Sequence, residues 1–114
     1  MTPQSFSAQV RTENQRVVID LYGEINAQAD QALTMAYTEA DNLNPDVIVL
    51  NFSNVDYINS TGIALIVGLL AQTRKTHRRM VVYGLSDHYV QIFQITRLSD
   101  FMDIFQDETS ALVN

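Results

Sequence analysis

The chain lacks cysteine and tryptophan and has only two prolines and four glycines among 114 residues. Without cysteine, disulfides, thiolate nucleophiles, cysteine-ligated zinc and iron–sulfur clusters are excluded. The prolines, Pro3 and Pro45, lie near the N-terminus and at one connection, so no proline-rich linker divides the chain. We therefore expect residues 1–114 to form a single domain with one core.

Positive charge is also scarce, since seven Lys and Arg face 13 Asp and Glu and give a net charge of -6. Nucleic-acid affinity comes mainly from clustered basic residues, so no direct nucleic-acid partner is expected. The N-terminal segment MTPQSFSAQV resembles no signal peptide, and the longest apolar run, 62–71, is about half of the ~20 residues that cross a bilayer. We expect a soluble, cytoplasmic protein without a membrane partner.

The first half of the chain predicts two strands, a helix and a third strand. SFSAQV alternates in polarity, with Phe6, Ala8 and Val10 on one face; RTENQR reads as a turn, and VVIDLYG as a strand. A helical period follows in NAQADQALTMAYTEADNL, at Ala29, Leu33, Ala36, Tyr37, Ala40 and Leu43. Asn26 is the predicted cap of this helix, and Asn44 with Pro45 ends it. The run DVIVLNF predicts a strand buried on both faces.

The second half continues the alternation after DYINSTG and its apolar helix. RRMVVYG and FMDIFQ read as strands, DETSALV as a last helix, and DHYVQIFQIT as a helix whose inner face holds Tyr89, Ile92, Phe93 and Thr96. The order β-β-α-β-α-β-α-β-α predicts an α/β fold. Its sheet is mixed and mostly parallel, with an antiparallel N-terminal strand pair, and about four helices flank it.

Two predicted loops, 23–26 and 56–62, each lead from the carboxyl end of a strand into a helix, where ligands and partners of α/β sheets usually bind. Asn59, Ser60 and Thr61 each offer a helix cap, although one cap suffices. A spare hydroxyl at the positive end of a helix would hold a phosphate in a favourable field.

A serine nucleophile is the enzymatic alternative. A nucleophile elbow has glycine on both sides, whereas Ser60 has Gly62 after it and Ile58 before it. The only bases of the histidine type are His77 and His88, each isolated. Phosphate-binding and dinucleotide motifs and metal-ligand spacings are absent, so we expect no catalytic residue, metal or cofactor.

Two further segments have two interpretations each. RKTHRR holds four of the seven basic residues, and these either complement a helix C-terminus or attract an acidic partner. The helix after the hydroxyls is apolar nearly all round, so some of Ile63, Ile66, Val67 and Leu70 should reach the surface and serve an interface, although most belong to the core.

The segment VIVLNFSNVDYINSTGIALIVGLLAQTRK resembles the centre of STAS domains, the bacterial anti-sigma factor antagonists. In that family an apolar strand is followed by Asp-Ser-Ser/Thr-Gly-Leu and a helix. LYGEIN is similar to the family's Gly-Glu-Leu-Asp loop, and LSDHYVQIFQITRLSDFMDIF to its closing helix and strand. The resemblance therefore covers nearly the whole chain.

The resemblance implies a phosphorylation switch at Ser60, with Thr61 as the favoured cap of the helix or as the second choice of phosphorylation site. A serine kinase that is also the anti-sigma factor would bind the unphosphorylated form and release its sigma factor, and a serine phosphatase would reset the switch. The implied partner surface is Gly23, Glu24, Ile25, Asn26, Asn59, Ser60, Thr61, Gly62 and Ile63. The free protein is expected to be a monomer.

Three residues depart from the family pattern. Asn59 and Asn26 stand where the family has aspartate, and Arg97 stands where it often has glycine. The two asparagines remove negative charge near Ser60, which favours a phosphate there but also removes carboxylates that a kinase could read. The alternative function is therefore an interaction module of the same fold that regulates another output without a switch.

Overall fold

Five strands form one sheet in the computed structural model, which describes residues 5–113. The strands, in sheet order, are β1 (Ser7–Glu13), β2 (Arg16–Ile25), β3 (Val47–Ile58), β4 (Arg79–Tyr83) and β5 (Asp103–Phe105). β1 and β2 pair antiparallel, and the other neighbours pair parallel. The predicted mixed sheet with an antiparallel N-terminal pair is confirmed, whereas Pro3 lies outside the described residues.

In the part of the chain that the structure describes, four α-helices connect and flank these strands, as predicted. They are α1 (Asp30–Asn42), α2 (Ser60–Lys75), α3 (Asp87–Ile95) and α4 (Glu108–Val113), with 3-10 turns at Ala27–Ala29 and Leu98–Asp100. Within residues 5–113, no helix has the length and apolar character that a membrane span requires.

One face of the sheet carries the main core. Alternate side chains of β2, β3 and β4 pack there against α1, α2 and α3, because successive residues of a strand point to opposite faces. The fully buried members include Ile19, Leu50, Val82, Ile66 and Phe93. All five residues from Ile48 to Phe52 are buried, which confirms the prediction of a strand covered on both faces.

The other face combines a small apolar cluster with a buried ion pair. Val18, Val49 and Val81 pack with Ala111 of α4. Beside them, Asp20 accepts hydrogen bonds from Arg11 Nε at 2.7 Å and from Asn51 Nδ2 at 2.8 Å. Burial raises the pKa of the Asp20 carboxyl, but these two hydrogen bonds outweigh burial and hold its pKa below the ordinary value.

Two predicted boundaries are wrong because strand pairing extends further than the local pattern shows. The hairpin turn is only Asn14 and Gln15, both with positive φ, because the polar residues around them pair as the ends of β1 and β2. β3 does not stop at Phe52 but continues to Ile58, since it pairs with the whole length of β2 up to Ile25.

The predicted inner faces of the helices are confirmed with two exceptions. Leu43 is 54% exposed because it follows the last residue of α1, and there the chain leaves the sheet. Thr96 is also exposed, and its hydroxyl donates to the Ile92 carbonyl oxygen at 2.7 Å. Of the four apolar residues expected partly at the surface, Val67 and Ile63 reach it, whereas Ile66 and Leu70 are buried.

Candidate functional site

The ends of β2 and β3 bring the two predicted loops side by side. Because the two strands are parallel neighbours, Ile25 pairs with Ile58, and each strand ends at its isoleucine. The backbone N–H of Asn59 donates to the Ile25 carbonyl oxygen at 3.2 Å, so a hydrogen bond joins the two turns. The turns therefore form one surface at the carboxyl edge of the sheet.

Asn59 alone caps α2, which corrects the expectation that Thr61 is the favoured cap. Its backbone is extended, with φ -90° and ψ -178°, and its Oδ1 accepts from the N–H of Gly62 at 2.8 Å. Ser60 and Thr61 are already the first two residues of the helix. A cap must stand outside the helical conformation, so neither hydroxyl takes this role.

Ser60 and Thr61 are consequently exposed residues whose hydroxyls are not needed to start the helix. They stand at the N-terminus of the 16-residue α2, where the unpaired N–H groups and the helix dipole favour negative charge. A phosphoryl group added to either hydroxyl would therefore meet a favourable backbone field without removal of the cap.

Gly62 allows the two turns to approach each other. A Cβ atom at this position would lie 2.0 Å from the Ile25 carbonyl oxygen and 2.8 Å from its carbon. Any other residue must push the N-terminus of α2 away from β2. The glycine thus fixes the position of the hydroxyls relative to the first turn.

The first turn is mostly strand rather than the predicted loop. Gly23, Glu24 and Ile25 belong to β2, and only Asn26 leaves it. Gly23 has φ 91°, a conformation that favours glycine, next to a register shift between β2 and β3. The Ile25 side chain is fully buried, so it supports the surface from below and offers it only backbone.

Asn26 also acts as a cap, as predicted, but it starts a 3-10 turn rather than α1 directly. Its Oδ1 accepts from the N–H of Gln28 at 3.0 Å. The two residues that depart from the family's aspartates, Asn26 and Asn59, therefore both satisfy backbone amides at the edge of the same sheet.

Two tyrosines at this surface were not predicted as site residues. The Tyr89 hydroxyl accepts from the Ile58 N–H at 2.8 Å and donates to the Ile58 carbonyl oxygen at 3.3 Å, so α3 holds the end of β3 in place. Tyr57 is 53% exposed two positions before Asn59, and exposed aromatic residues are frequent anchors of interfaces. The signal for Tyr57 in the sequence is an aromatic residue within the predicted loop DYINSTG.

The two histidines belong to other parts of the chain than the exposed hydroxyls. His77 follows the C-terminal end of the helix that Ser60 begins, and the His88 ring lies 5.0 Å from that of Tyr89. Over residues 5–113, no group of three or more His, Asp or Glu side chains is arranged to hold a metal ion. A cleft of about 200 Å³ adjoins Ile58 and Tyr89, and the exposed Ser60 in the turn that carries the two hydroxyls (59–62, the hydroxyl turn) does not line it.

Known proteins are similar to this chain in sequence and in fold. The sequence profile of the STAS domain family matches residues 7–111. An anti-sigma-B factor antagonist of Listeria monocytogenes is 32% identical over 88 residues, which cover 75% of this chain and 77% of that protein.

Two solved structures show the same fold. An anti-sigma factor antagonist from Mycobacterium paratuberculosis has a TM-score of 0.83 at 20% identity, covering 97% of this chain and 94% of its own. The Bacillus cell fate determinant SpoIIAA in its phosphorylated form has a TM-score of 0.69 at 22% identity, covering 91% and 96%.

Proposed function

Because the chain belongs to the STAS domain family, we propose that it is an anti-sigma factor antagonist that acts by partner switching. The Listeria relative is described as such an antagonist, of the sigma-B system. In this proposal residues 1–114 are one STAS domain with a regulatory task and no catalysis of its own. The protein acts in the cytoplasm, is a monomer when free, and binds proteins rather than nucleic acid or membrane.

Ser60 is the proposed switch. Unphosphorylated protein binds a serine kinase that is also the anti-sigma factor, and this binding releases the sigma factor. The observation that carries the proposal is the exposed Ser60 hydroxyl at the start of α2, next to a cap that Asn59 provides alone. A phosphate adds about -1.5 to -2 charges, and burial of this dianion against the kinase without matched cations is costly. A serine phosphatase restores the binding form.

The docking surface consists of the two joined turns. Asn26 and Asn59 present amides rather than carboxylates beside Ser60, so neither cap repels the phosphate. Glu24, Thr61 and Ile63 add an acid, a hydroxyl and a partly buried apolar side chain. We assign Tyr57 to the same surface as its aromatic anchor, since it is paired with Glu24 across the two strands.

Phosphate mapping tests the switch directly. The protein is incubated with ATP and a serine kinase of the histidine-kinase-like ATPase type from the same organism, and the product is analysed by intact mass and peptide sequencing. We expect one phosphate on Ser60, retained in Thr61→Ala and lost in Ser60→Ala. Absence of phosphate from both hydroxyls would refute the switch, and phosphate on Thr61 alone would move it by one residue.

Binding to the same kinase tests the consequence of the charge. Ser60→Ala should bind the kinase constitutively, and Ser60→Asp should bind at least about tenfold more weakly, a difference of ~1.4 kcal/mol. Thr38→Asp is the matched control, because Thr38 is an exposed hydroxyl residue on α1. Equal affinities of Ser60→Ala and Ser60→Asp contradict the mechanism even if phosphate is incorporated.

A second candidate function is an interaction module without the switch. It is favoured by the capping roles of Asn26 and Asn59, which hold the surface together without the charges found at these positions in the family. This function predicts that Ser60→Ala supports normal output in cells and that no phosphorylated pool exists. Phosphorylated protein in cells together with a Ser60→Ala phenotype would exclude it.

A further inference from the structure

A second surface lies toward the C-terminal end of α2, away from Ser60. Val67, Leu70, Ala71 and Arg74 are spaced three or four residues apart, so they share one face of the helix. Together with residues 96–98 and Phe101 they line a groove of about 310 Å³. Val67 is 44% and Phe101 48% exposed. The groove thus has an apolar lining open to solvent.

The charge at the rim of this groove is opposite to that of the whole chain. Arg74 and Arg97 line it, and none of the described lining residues is acidic. The Arg74 guanidinium lies 4.5 Å from the centre of the Phe101 ring. Arg97 contacts Asp100 at 3.3 Å, but its side chain is 80% exposed, and such surface ion pairs hold their partners weakly. Two cations therefore border an apolar groove on a protein with a net charge of -6.

We propose that this groove binds an acidic amphipathic helix of a partner protein. Apolar side chains on one face of that helix would cover Val67, Ala71 and Phe101, and its carboxylates would pair with Arg74 and Arg97. From Val67 to Arg74 the helix rises about 10 Å, or roughly two turns, which matches an i, i+3, i+7 set of anchors. Of the basic segment RKTHRR, only Arg74 lines the groove, and it thereby gains a function besides its complement to the helix dipole.

A second copy of the chain is a poorer occupant. A two-fold contact places the same patch on both sides of the interface, so Arg74 and Arg97 would face their own copies. The remaining surfaces of two chains, each with a net charge of -6, would also repel. Charge complementarity therefore favours a partner segment rich in Glu and Asp.

The groove is independent of the switch. Arg74 lies about 21 Å along α2 from Ser60 at ~1.5 Å per residue, so a helix in the groove need not contact the hydroxyl turn. One partner could thus hold the protein through the groove while another reads the phosphorylation state. Because the two surfaces are separate, binding at the groove and phosphorylation of Ser60 can each fail without the other.

The test uses two synthetic amphipathic peptides of about 14 residues, long enough for helix formation, with Leu on one face. One peptide carries Glu at its polar positions, and its control carries Lys instead. Binding is followed by amide chemical shifts of ¹⁵N-labelled protein. We expect the Glu peptide to bind at least about tenfold more tightly than the Lys peptide and to shift the Val67, Ala71 and Phe101 amides.

Variants locate the contact. Arg74→Glu and Val67→Asp should each weaken the Glu peptide about tenfold or more. Met35→Asp is the matched control, because Met35 is an exposed apolar residue of α1 and receives the same charge. The Met35→Asp and Ser60→Asp variants should both bind the Glu peptide as tightly as the original chain does. The proposal is overturned if both peptides bind equally well, or if neither shows saturable binding below about 1 mM. It is also overturned if the chemical shift changes are confined to 60–63, or if the chain self-associates through Val67.

Discussion

The turns after β2 and β3 have the same backbone arrangement, but different structures follow them. Each strand ends at a buried isoleucine, and each is followed by an extended asparagine whose side chain accepts from a backbone amide. After Asn26 the chain makes a 3-10 turn of Ala27–Ala29, which carries no hydroxyl. After Asn59 a long α-helix begins at once with Ser60 and Thr61.

The difference shows that the cap and the proposed phosphoacceptor are separate parts of the site. A capping asparagine is present in both turns, so it serves the connection of each strand to the helical segment that follows. The two hydroxyls and Gly62 are present only in the second turn, where the first turn's carbonyl oxygen leaves no space for a Cβ.

The largest effect is expected from Gly62→Ala. The new Cβ would lie 2.0 Å from the Ile25 oxygen, so the two turns must separate, and the free energy of unfolding should fall by about 3 kcal/mol, as for overpacked cores. Gly68→Ala is the control, because no atom lies within 4 Å of its Cβ position in the same helix. It should raise stability by about 1 kcal/mol through helix propensity. Urea unfolding of both variants checks this; equal changes would mean that the turns are not in close contact.

Tyr89→Phe should have the next largest effect. It removes the acceptor of the buried Ile58 N–H at the end of β3, and an unsatisfied buried donor costs about 2 kcal/mol. Hydrogen exchange of the Ile58 amide should accelerate accordingly. Tyr57→Phe, at an exposed tyrosine one residue before Ile58, should change neither stability nor exchange. An unchanged Ile58 amide in Tyr89→Phe would show that the hydroxyl does not hold the strand end.

The strands and the helix next to the two turns were predictable from the sequence because their polarity patterns are local. The helical period of 26–43 and the β-branched run at 46–52 place α1 and β3 in order, and short-range alternation gives the N-terminal hairpin. β3 was predicted too short because Ser53 to Tyr57 contains polar, exposed residues. Only its long-range pairing with β2 makes this segment a strand.

The cap was not predictable because residue type does not decide among adjacent candidates. Asn59, Ser60 and Thr61 are all good cap residues, and the choice depends on which of them keeps an extended backbone. The hydrogen bond from Asn59 N–H to Ile25 sets that conformation, and it requires the neighbouring strand. Tyr89 was missed as a site residue for the same reason, since its partner Ile58 is 31 residues away in sequence.

The two caps should differ in strength when each is removed. Asn59→Ala exposes the start of a 16-residue helix and should cost about 1 kcal/mol, whereas Asn26→Ala affects only a three-residue 3-10 turn and should cost roughly half as much. Asn59→Ser retains a capping oxygen and serves as the control. Thermal unfolding at one pH measures the stability of all three variants. A larger loss of stability in Asn26→Ala than in Asn59→Ala would contradict the prediction.

The smallest effect is expected from charge at the second cap. Asn59→Asp places a carboxylate at the N-terminus of α2 and should raise stability by about 0.5 kcal/mol at low salt, less at high salt. In a Ser60→Asp background the gain should shrink, because two adjacent carboxylates then share one helix end. The double-mutant cycle of these substitutions measures that repulsion, and a gain unaffected by Ser60→Asp would show that the cap and the phosphoacceptor do not interact. If they do interact, a phosphate on Ser60 would cost less free energy beside the uncharged Asn59 than beside an aspartate at the same position.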